Sequence, residues 1–280
     1  DGTQLFVFDS AGRHLKTLDS TTRTTLYTFG YTAGRNQLLS TIRDANDLVV
    51  SIERNAKGDP LAIVGPHGHR TEIVLNEEGW LSELVNPADE RNLMDYSEGG
   101  LLTHVANRRG DEFRQNYADD GRIVSNVDPV GGGNTVNTIY NDNGWDVEVV
   151  DGLSRTNLHC VERADDGTET RTSIDAAGLM TIKTTTPEGD ITVDLPDWSY
   201  TTLKQSPDPR FGMQAPMVTE SQVQTWDHWN DQTFSRTVAL ADPDNPLSLT
   251  KQIDVATVNG REWRSEYCHP DRTIVATSPM

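Results

Sequence analysis

The chain has 280 residues, 35% of them hydrophobic and 7% aromatic, and a formal net charge of −19. That acidic excess argues against nucleic acid or an anionic membrane as partner, since both are bound through Lys and Arg that displace counterions. It serves solubility and would also suit a basic cargo. No apolar run reaches the roughly 18 residues a membrane-spanning helix needs, and so low an apolar content implies a thin core, one layer of sheet polar on at least one face.

The chain opens on Asp1-Gly2-Thr3-Gln4-Leu5-Phe6, in mid-strand and with neither an initiator Met nor a signal peptide, and is therefore expected to be a fragment or a processed form. Residues 1–57 read as strands of an irregular array: Leu5 to Phe8, His14 to Leu18, Thr25 to Phe29 and Leu38 to Ile42. Turn glycines at Gly12, Gly34 and Gly58 separate them, with steps of 22 and 24 that small loop insertions explain.

From Gly58 the chain repeats without a slip. Gly58, Gly79, Gly100 and Gly121 recur every 21 residues, and a second series, Gly68, Asp89, Gly110 and Gly131, follows ten residues behind. Short apolar runs lie between them, among them Leu61 to Val64, Leu84-Val85, Leu101-Leu102 and Ile123-Val124. A fixed period shared by turns and apolar columns means a repeat architecture. Two runs of about six residues per period, bounded by residues that tolerate positive φ, make each repeat a β-hairpin.

After Gly131 the step lengthens to 23, reaching Gly144 through Gly131-Gly132-Gly133-Asn134. Gly167, Gly178 and Gly189 then step by 11, as alternating strand and turn. The array is expected to run unbroken through residues 1–203. Residues 204–220 carry Pro207, Pro209 and Pro216 around Arg210-Phe211-Gly212-Met213, and prolines remove ladder amides, so this stretch reads as a Pro-rich loop excursion packed on the sheet or on a partner. Residues 221–280 return to the β-repeat array, with Asp227 to Asp231 as a hairpin loop, and end on Ser278-Pro279-Met280 as if cut.

The residues ahead of the turn glycines form columns. Phe8-Asp9-Ser10-Ala11-Gly12-Arg13, Tyr117-Ala118-Asp119-Asp120-Gly121-Arg122, Tyr140-Asn141-Asp142-Asn143-Gly144-Trp145 and Ile174-Asp175-Ala176-Ala177-Gly178-Leu179 share one frame, with Leu75 and Tyr96 in the same aromatic column. The frame resembles the Tyr-Asp-x-x-Gly-Arg-Leu pattern of the RHS/YD-repeat family, which includes bacterial polymorphic toxins, Tc toxin cocoon subunits and the shells of teneurins. The resemblance implies an all-β fold of tandem β-hairpin repeats in a curved, spiralling antiparallel sheet. It also implies a secreted or cell-surface setting, bacterial in origin. Gly58, Gly79, Gly100, Gly121 and Gly144 would be its turns, and Leu75, Tyr96, Tyr117 and Tyr140 its inward columns. The self-cleavage region and C-terminal toxin of RHS shells have no counterpart in these residues.

No constellation carries catalysis. The abundant carboxylates form no distinguished pair, and there is no Gly-x-Ser-x-Gly elbow or phosphate-cradling loop. His67-Gly68-His69 is too isolated for a metal site. Asn141 to Gly144 and Asp165-Asp166-Gly167 lack the ligand spacing of a calcium loop, leaving an isolated surface calcium as the one cation to consider and no cofactor expected. Cys160 and Cys268 read as free, buried thiols, with a disulfide as the alternative.

The sequence thus points to a non-catalytic structural segment of a shell. Its partners are expected to be the remainder of a larger polypeptide or an enclosed cargo. The alternative is an extracellular binding module for glycan or protein that uses Phe211, Trp226, His228 and Trp229, and a polysaccharide-active enzyme is the more distant one.

Overall fold

The computed structural model describes residues 2–34 and 36–279. Asp1 and Met280, on which the expectation of a cut chain partly fell, lie outside the described residues, as does Arg35. The described residues contain strands and turns and no helix.

The irregular start forms β1 (Gln4–Phe8), β2 (His14–Asp19), β3 (Thr25–Tyr31), β4 (Leu39–Asp44) and β5 (Val49–Arg54). The strict repeats form β6 (Pro60–Val64), β7 (Arg70–Leu75), β8 (Leu81–Val85), β9 (Arg91–Tyr96), β10 (Leu102–Ala106), β11 (Glu112–Tyr117) and β12 (Ile123–Val127). Longer strands follow as β13 (Gly133–Asn141), β14 (Gly144–Asp151) and β15 (Thr156–Arg163), then shorter ones as β16 (Glu169–Ile174), β17 (Met180–Thr185) and β18 (Ile191–Asp194). The last group is β19 (Tyr200–Asp208), β20 (Gly212–Thr225), β21 (His228–Leu240), β22 (Leu249–Val258), β23 (Arg261–Cys268) and β24 (Thr273–Thr277). Each strand pairs antiparallel with the next in sequence, so the 24 strands make one meandering sheet. The meander puts its turns on two rims: β1–β2, β3–β4 and every later odd-to-even turn on the first, and every even-to-odd turn on the second.

The pleat sorts the two faces. Through the strict repeats one face is apolar, with Ile52 opposite Ile63, Ile73 opposite Leu84, Met94 opposite Val105 and Val105 opposite Phe113. The other carries an ionic ladder: Arg70 bridges Glu53 and Glu72, Arg91 binds Glu83, and His104 contacts Asp95. Little of the sheet is sealed: among the described residues the buried hydrophobic ones are Ala62, Val85, Val161, Leu249 and Tyr267, and Ala62 and Val85 stand on the ionic face, opposite Glu53, Glu72 and Arg91. The accessible surface is 18275 Å², against about 12,000 Å² for a compact monomer of this mass. The excess is what a single layer costs.

Two stretches depart from the sequence reading. Residues 204–220 are a hairpin of β19 and β20 and not a loop excursion. Its prolines are tolerated because the ladder is already broken there, with register shifts at Lys204/Gln205 and Ser206/Asp208. Pro216 lies where β20 has not yet joined β21, whose pairing begins at Glu220. Likewise, the loop expected at Asp227 to Asp231 shrinks to Trp226-Asp227, since His228 and Trp229 already pair in β21. Both cysteines are free, and they are half-buried where burial was expected.

Candidate functional site

Each hairpin turn is built from local backbone chemistry. At the first, the Asp9 N–H donates to the Arg13 carbonyl and the Gly12 N–H to the Asp9 carbonyl, both at 3.0 Å. That is a three-residue loop closed by a residue in the left-handed region. The same frame recurs with Gly58, Gly79, Gly100 and Gly121 at φ between +81° and +97°, all on the first rim. Asp89 takes the left-handed place in the second series at φ +60°, beside Gly68, Gly110 and Gly131.

Gly144 is different and corrects the sequence expectation. It is the first residue of β14, pairs with Asn141 across a two-residue turn, and does not have positive φ. A Cβ there would overlap the Val161 carbonyl oxygen of the next strand, so close backbone approach is what demands glycine.

A polar side chain at the head of the turn caps it, on both rims. Asp9 Oδ1 accepts the N–H groups of Ala11 and Arg13 at 2.9 and 3.0 Å. Asn107, Asp151 and Asp175 do the same in their turns. Where the position holds Ala118, Ala164 or Leu195, a carboxylate two residues on takes over: Asp120, Asp166 and Asp197 accept from Arg122, Thr168 and Ser199. These bonds favour the charged form. Hydrogen bonds from Arg13 hold the Asp9 carboxyl below its ordinary range, and the Arg122, Thr168 and Ser199 amides do so for Asp120, Asp166 and Asp197.

The aromatic column ties neighbouring hairpins together. Tyr96 Oη donates to the Leu81 carbonyl at 2.8 Å and Tyr117 Oη to the Leu102 carbonyl at 2.7 Å, each reaching back 15 residues to the preceding strand. Leu75 sits at the same register break, opposite Leu81, without a hydroxyl to offer. Tyr140 is exposed instead, with the Arg122 guanidinium 5.2 Å above its ring.

One contact turns the sheet onto itself. The tip of the β19–β20 hairpin, on the first rim, carries Arg210, whose Nη1 donates to the Ser20 carbonyl in the β2–β3 turn, on the second rim, at 2.9 Å. Ser20 is in turn tied to Gly2 and Thr3. Because rim meets rim, the sheet winds past its own start as a spiral and does not close edge to edge.

Beneath the tip, buried Asp208 accepts from the Arg210 and Phe211 amides and from Arg236, which forks onto Asp254 at 2.6 and 3.3 Å. Burial lowers the Arg210 pKa; burial also pulls Arg236 down, but its bonds to Asp254 and Asp208 carry it above the usual value. Nothing in the sequence singles out this network except an Arg-Phe pair held between prolines.

The four residues of the anticipated binding surface do not form one surface. Trp226, His228 and Trp229 lie at the second rim, where Trp226 and His228 are exposed and Trp229 meets Tyr200 edge-on at 5.8 Å. Phe211 lies at the opposite end of the 14-residue β20, under Arg210 at 4.7 Å. A tryptophan the sequence reading passed over is more exposed than any of them: Trp198 occupies the glycine place of the frame Leu195-Pro196-Asp197-Trp198-Ser199. Among the described residues no group of three His, Cys, Asp or Glu is arranged to hold a metal.

A single-layer spiral of hairpins joined by capped turns and hydroxyl ties defines a β-hairpin repeat shell. The chain belongs to the Teneurin YD-shell family, whose model matches residues 1–266. It is 30% identical over 129 residues to Teneurin-4 of Homo sapiens, covering 46% of this chain and 5% of that protein. To Teneurin-1 of Gallus gallus it is 26% identical over 223 residues, covering 77% of this chain and 8% of that one. The chain therefore spans less than a tenth of the length of these relatives. A solved structure, that of TcdB2-TccC3-Cdc42, aligns with 98% of this chain and 18% of its own at 10% identity and a TM-score of 0.39.

Proposed function

We propose that this chain is a non-catalytic length of shell wall whose larger polypeptide encloses a cargo or presents it outside the cell. The observation that carries this reading is the single layer. An accessible surface of 18275 Å² leaves about 6,000 Å² beyond what a compact protein exposes, several times a standard interface. Surface on that scale suits a wall with something on either side. Turns, caps and tyrosine ties use the sequence's most regular residues for holding curvature and register, which is scaffold chemistry.

The test is site-specific photo-crosslinking in the native polypeptide. One variant carries the crosslinker at Met94 on the apolar face and another at Arg91 on the ionic face. Capture of a cargo segment from one face only supports the reading. Capture of nothing from either face contradicts it.

A further inference from the structure

The two rims of the sheet differ in chemistry. Over β11 to β18 the first rim presents exposed acids in its turns, among them Asp119, Asp120, Asp142, Asp165, Asp166 and Glu188. The five consecutive second-rim turns from β12–β13 to β20–β21 present Val130, Leu153, Leu179, Trp198 and Trp226, at 91, 75, 53, 89 and 84% exposure. Single exposed apolar residues need no explanation, but an aligned row does.

Two of these residues sit where the backbone resists them. Trp198 and Trp226 have φ of +68° and +49°, a region that costs a bulky side chain backbone strain. Glycine fills the Trp198 place in most copies of the frame, as at Gly58 and Gly178. The chain therefore bears a strained tryptophan that packs against almost nothing of its own.

Between the turns lie open grooves. One of about 450 Å³ is bounded by Leu179, Met180, Ile182, Leu195 and Trp198, and one of about 710 Å³ by Phe113, Val130 and Leu153. Each has room for a large side chain of another molecule. The charges in and beside these five turns include Asp128, Asp151, Asp175, Asp194, Asp197 and Asp227, and Arg155 among them is already bound to Asp151 at 2.6 Å; Arg109 and Arg261 stand at the next turns beyond the two ends of the row.

We propose that this rim is a docking surface for a cationic amphipathic protein segment. Such a segment sets an apolar side chain into the row at each turn and flanks them with Lys or Arg. Same-rim turns recur every two strands, about 9.6 Å, so the row is about 38 Å long. A helix of about 29 residues carries five apolar positions seven apart, about 10.5 Å per step and about 42 Å in all, close to that spacing. Carboxylates at each turn disfavour both an anionic membrane and the acidic surface of a second copy. This inference goes beyond the wall role, because it concerns the rim and not either face.

The probe is a synthetic helix of about 29 residues with five leucines seven apart and flanking lysines, titrated into the full chain by fluorescence anisotropy. We expect saturable binding that Trp198→Gly weakens at least about tenfold, while the same change leaves the unfolding midpoint equal or higher, since glycine relieves the positive φ. Trp226→Ser should weaken it similarly, and Leu247→Ser, on the first rim, should not. A glutamate-flanked peptide that binds equally well would overturn the proposal, as would absence of binding or binding indifferent to Trp198 and Trp226. So would a loss in these variants of self-association by sedimentation, or of binding to phosphatidylcholine or phosphatidylserine vesicles, in place of peptide binding.

Discussion

Arg210 reaches across 190 residues of sequence to donate through Nη1 to the Ser20 carbonyl, and that bond seats the tip of one long hairpin on the β2–β3 turn near the start of the array. The guanidinium is buried, and its Nε and Nη2 have no partner among the described residues. Losing the one bond therefore removes the reason for burying the charge. Arg210→Met is expected to raise hydrogen exchange in the Ser20 to Thr24 turn while β9 to β12 stay protected, at a cost of about 1–3 kcal/mol. Exchange unchanged in that turn would show that the bond does not hold the tip.

Gly100 combines positive φ, +81°, with crowding, since a Cβ there would stand 3.0 Å from Trp80 Cζ2. Trp80 is itself packed on Tyr96 at 5.4 Å. Gly100→Val should lower stability by about 1–3 kcal/mol through backbone strain and displaced packing. Gly144→Ala should cost a similar amount for another reason, the Val161 carbonyl in its way. Chemical denaturation measures both, and an unchanged midpoint for either would refute its assigned role.

The tyrosine ties are testable by removing one oxygen. Tyr117→Phe deletes the donor to the Leu102 carbonyl and should cost about 0.5–1.5 kcal/mol. Tyr140→Phe should change stability by less than about 0.5 kcal/mol, because its ring is exposed and holds Arg122 by its face. Equal effects in the two variants would mean that the hydroxyl at Tyr117 is not a tie.

Acid should loosen the turns. The carboxyls of Asp9, Asp120, Asp151, Asp166 and Asp197 are held below their ordinary range by hydrogen bonds from arginine side chains and turn amides. A carboxyl whose folded pKa is depressed contributes stability that is complete above its unfolded value, about 3.9. That contribution is lost as pH falls through the lower folded value. The denaturation midpoint should vary little from pH 7 to 5 and fall below about pH 4. A midpoint at pH 3 equal to that at pH 7 would contradict the capping role.

Much of this architecture was legible in sequence because it is local. A three-residue turn needs positive φ at one place, so glycine at 58, 79, 100 and 121, with Asp89 in the companion series, announced both the hairpin and its period. The thin core, one layer of sheet polar on at least one face, followed from the low apolar content; the ion pairs that line that face did not. What stayed hidden depends on distant chain. Gly144 was read as a turn residue because the neighbour that excludes a Cβ, Val161, lies on the next strand. The prolines at 207 and 216 looked incompatible with strands because the register breaks that accommodate them arise from pairing. The Arg210, Asp208, Arg236 and Asp254 network and the alignment of Trp198 with Trp226 exist only once rims are known.

A sheet that winds past its own start brings the β2–β3 turn and the β19–β20 tip together, and a distance across that junction measures this. Spin labels at Thr24→Cys and Gln214→Cys, with Cys160 and Cys268 replaced by serine, would report it by pulsed electron resonance. A wound sheet should give one narrow, short distance that lengthens and broadens when Arg210→Met is added. A broad, long distribution in the parent, unaffected by that change, would mean that the strands form an open ribbon and not a coil.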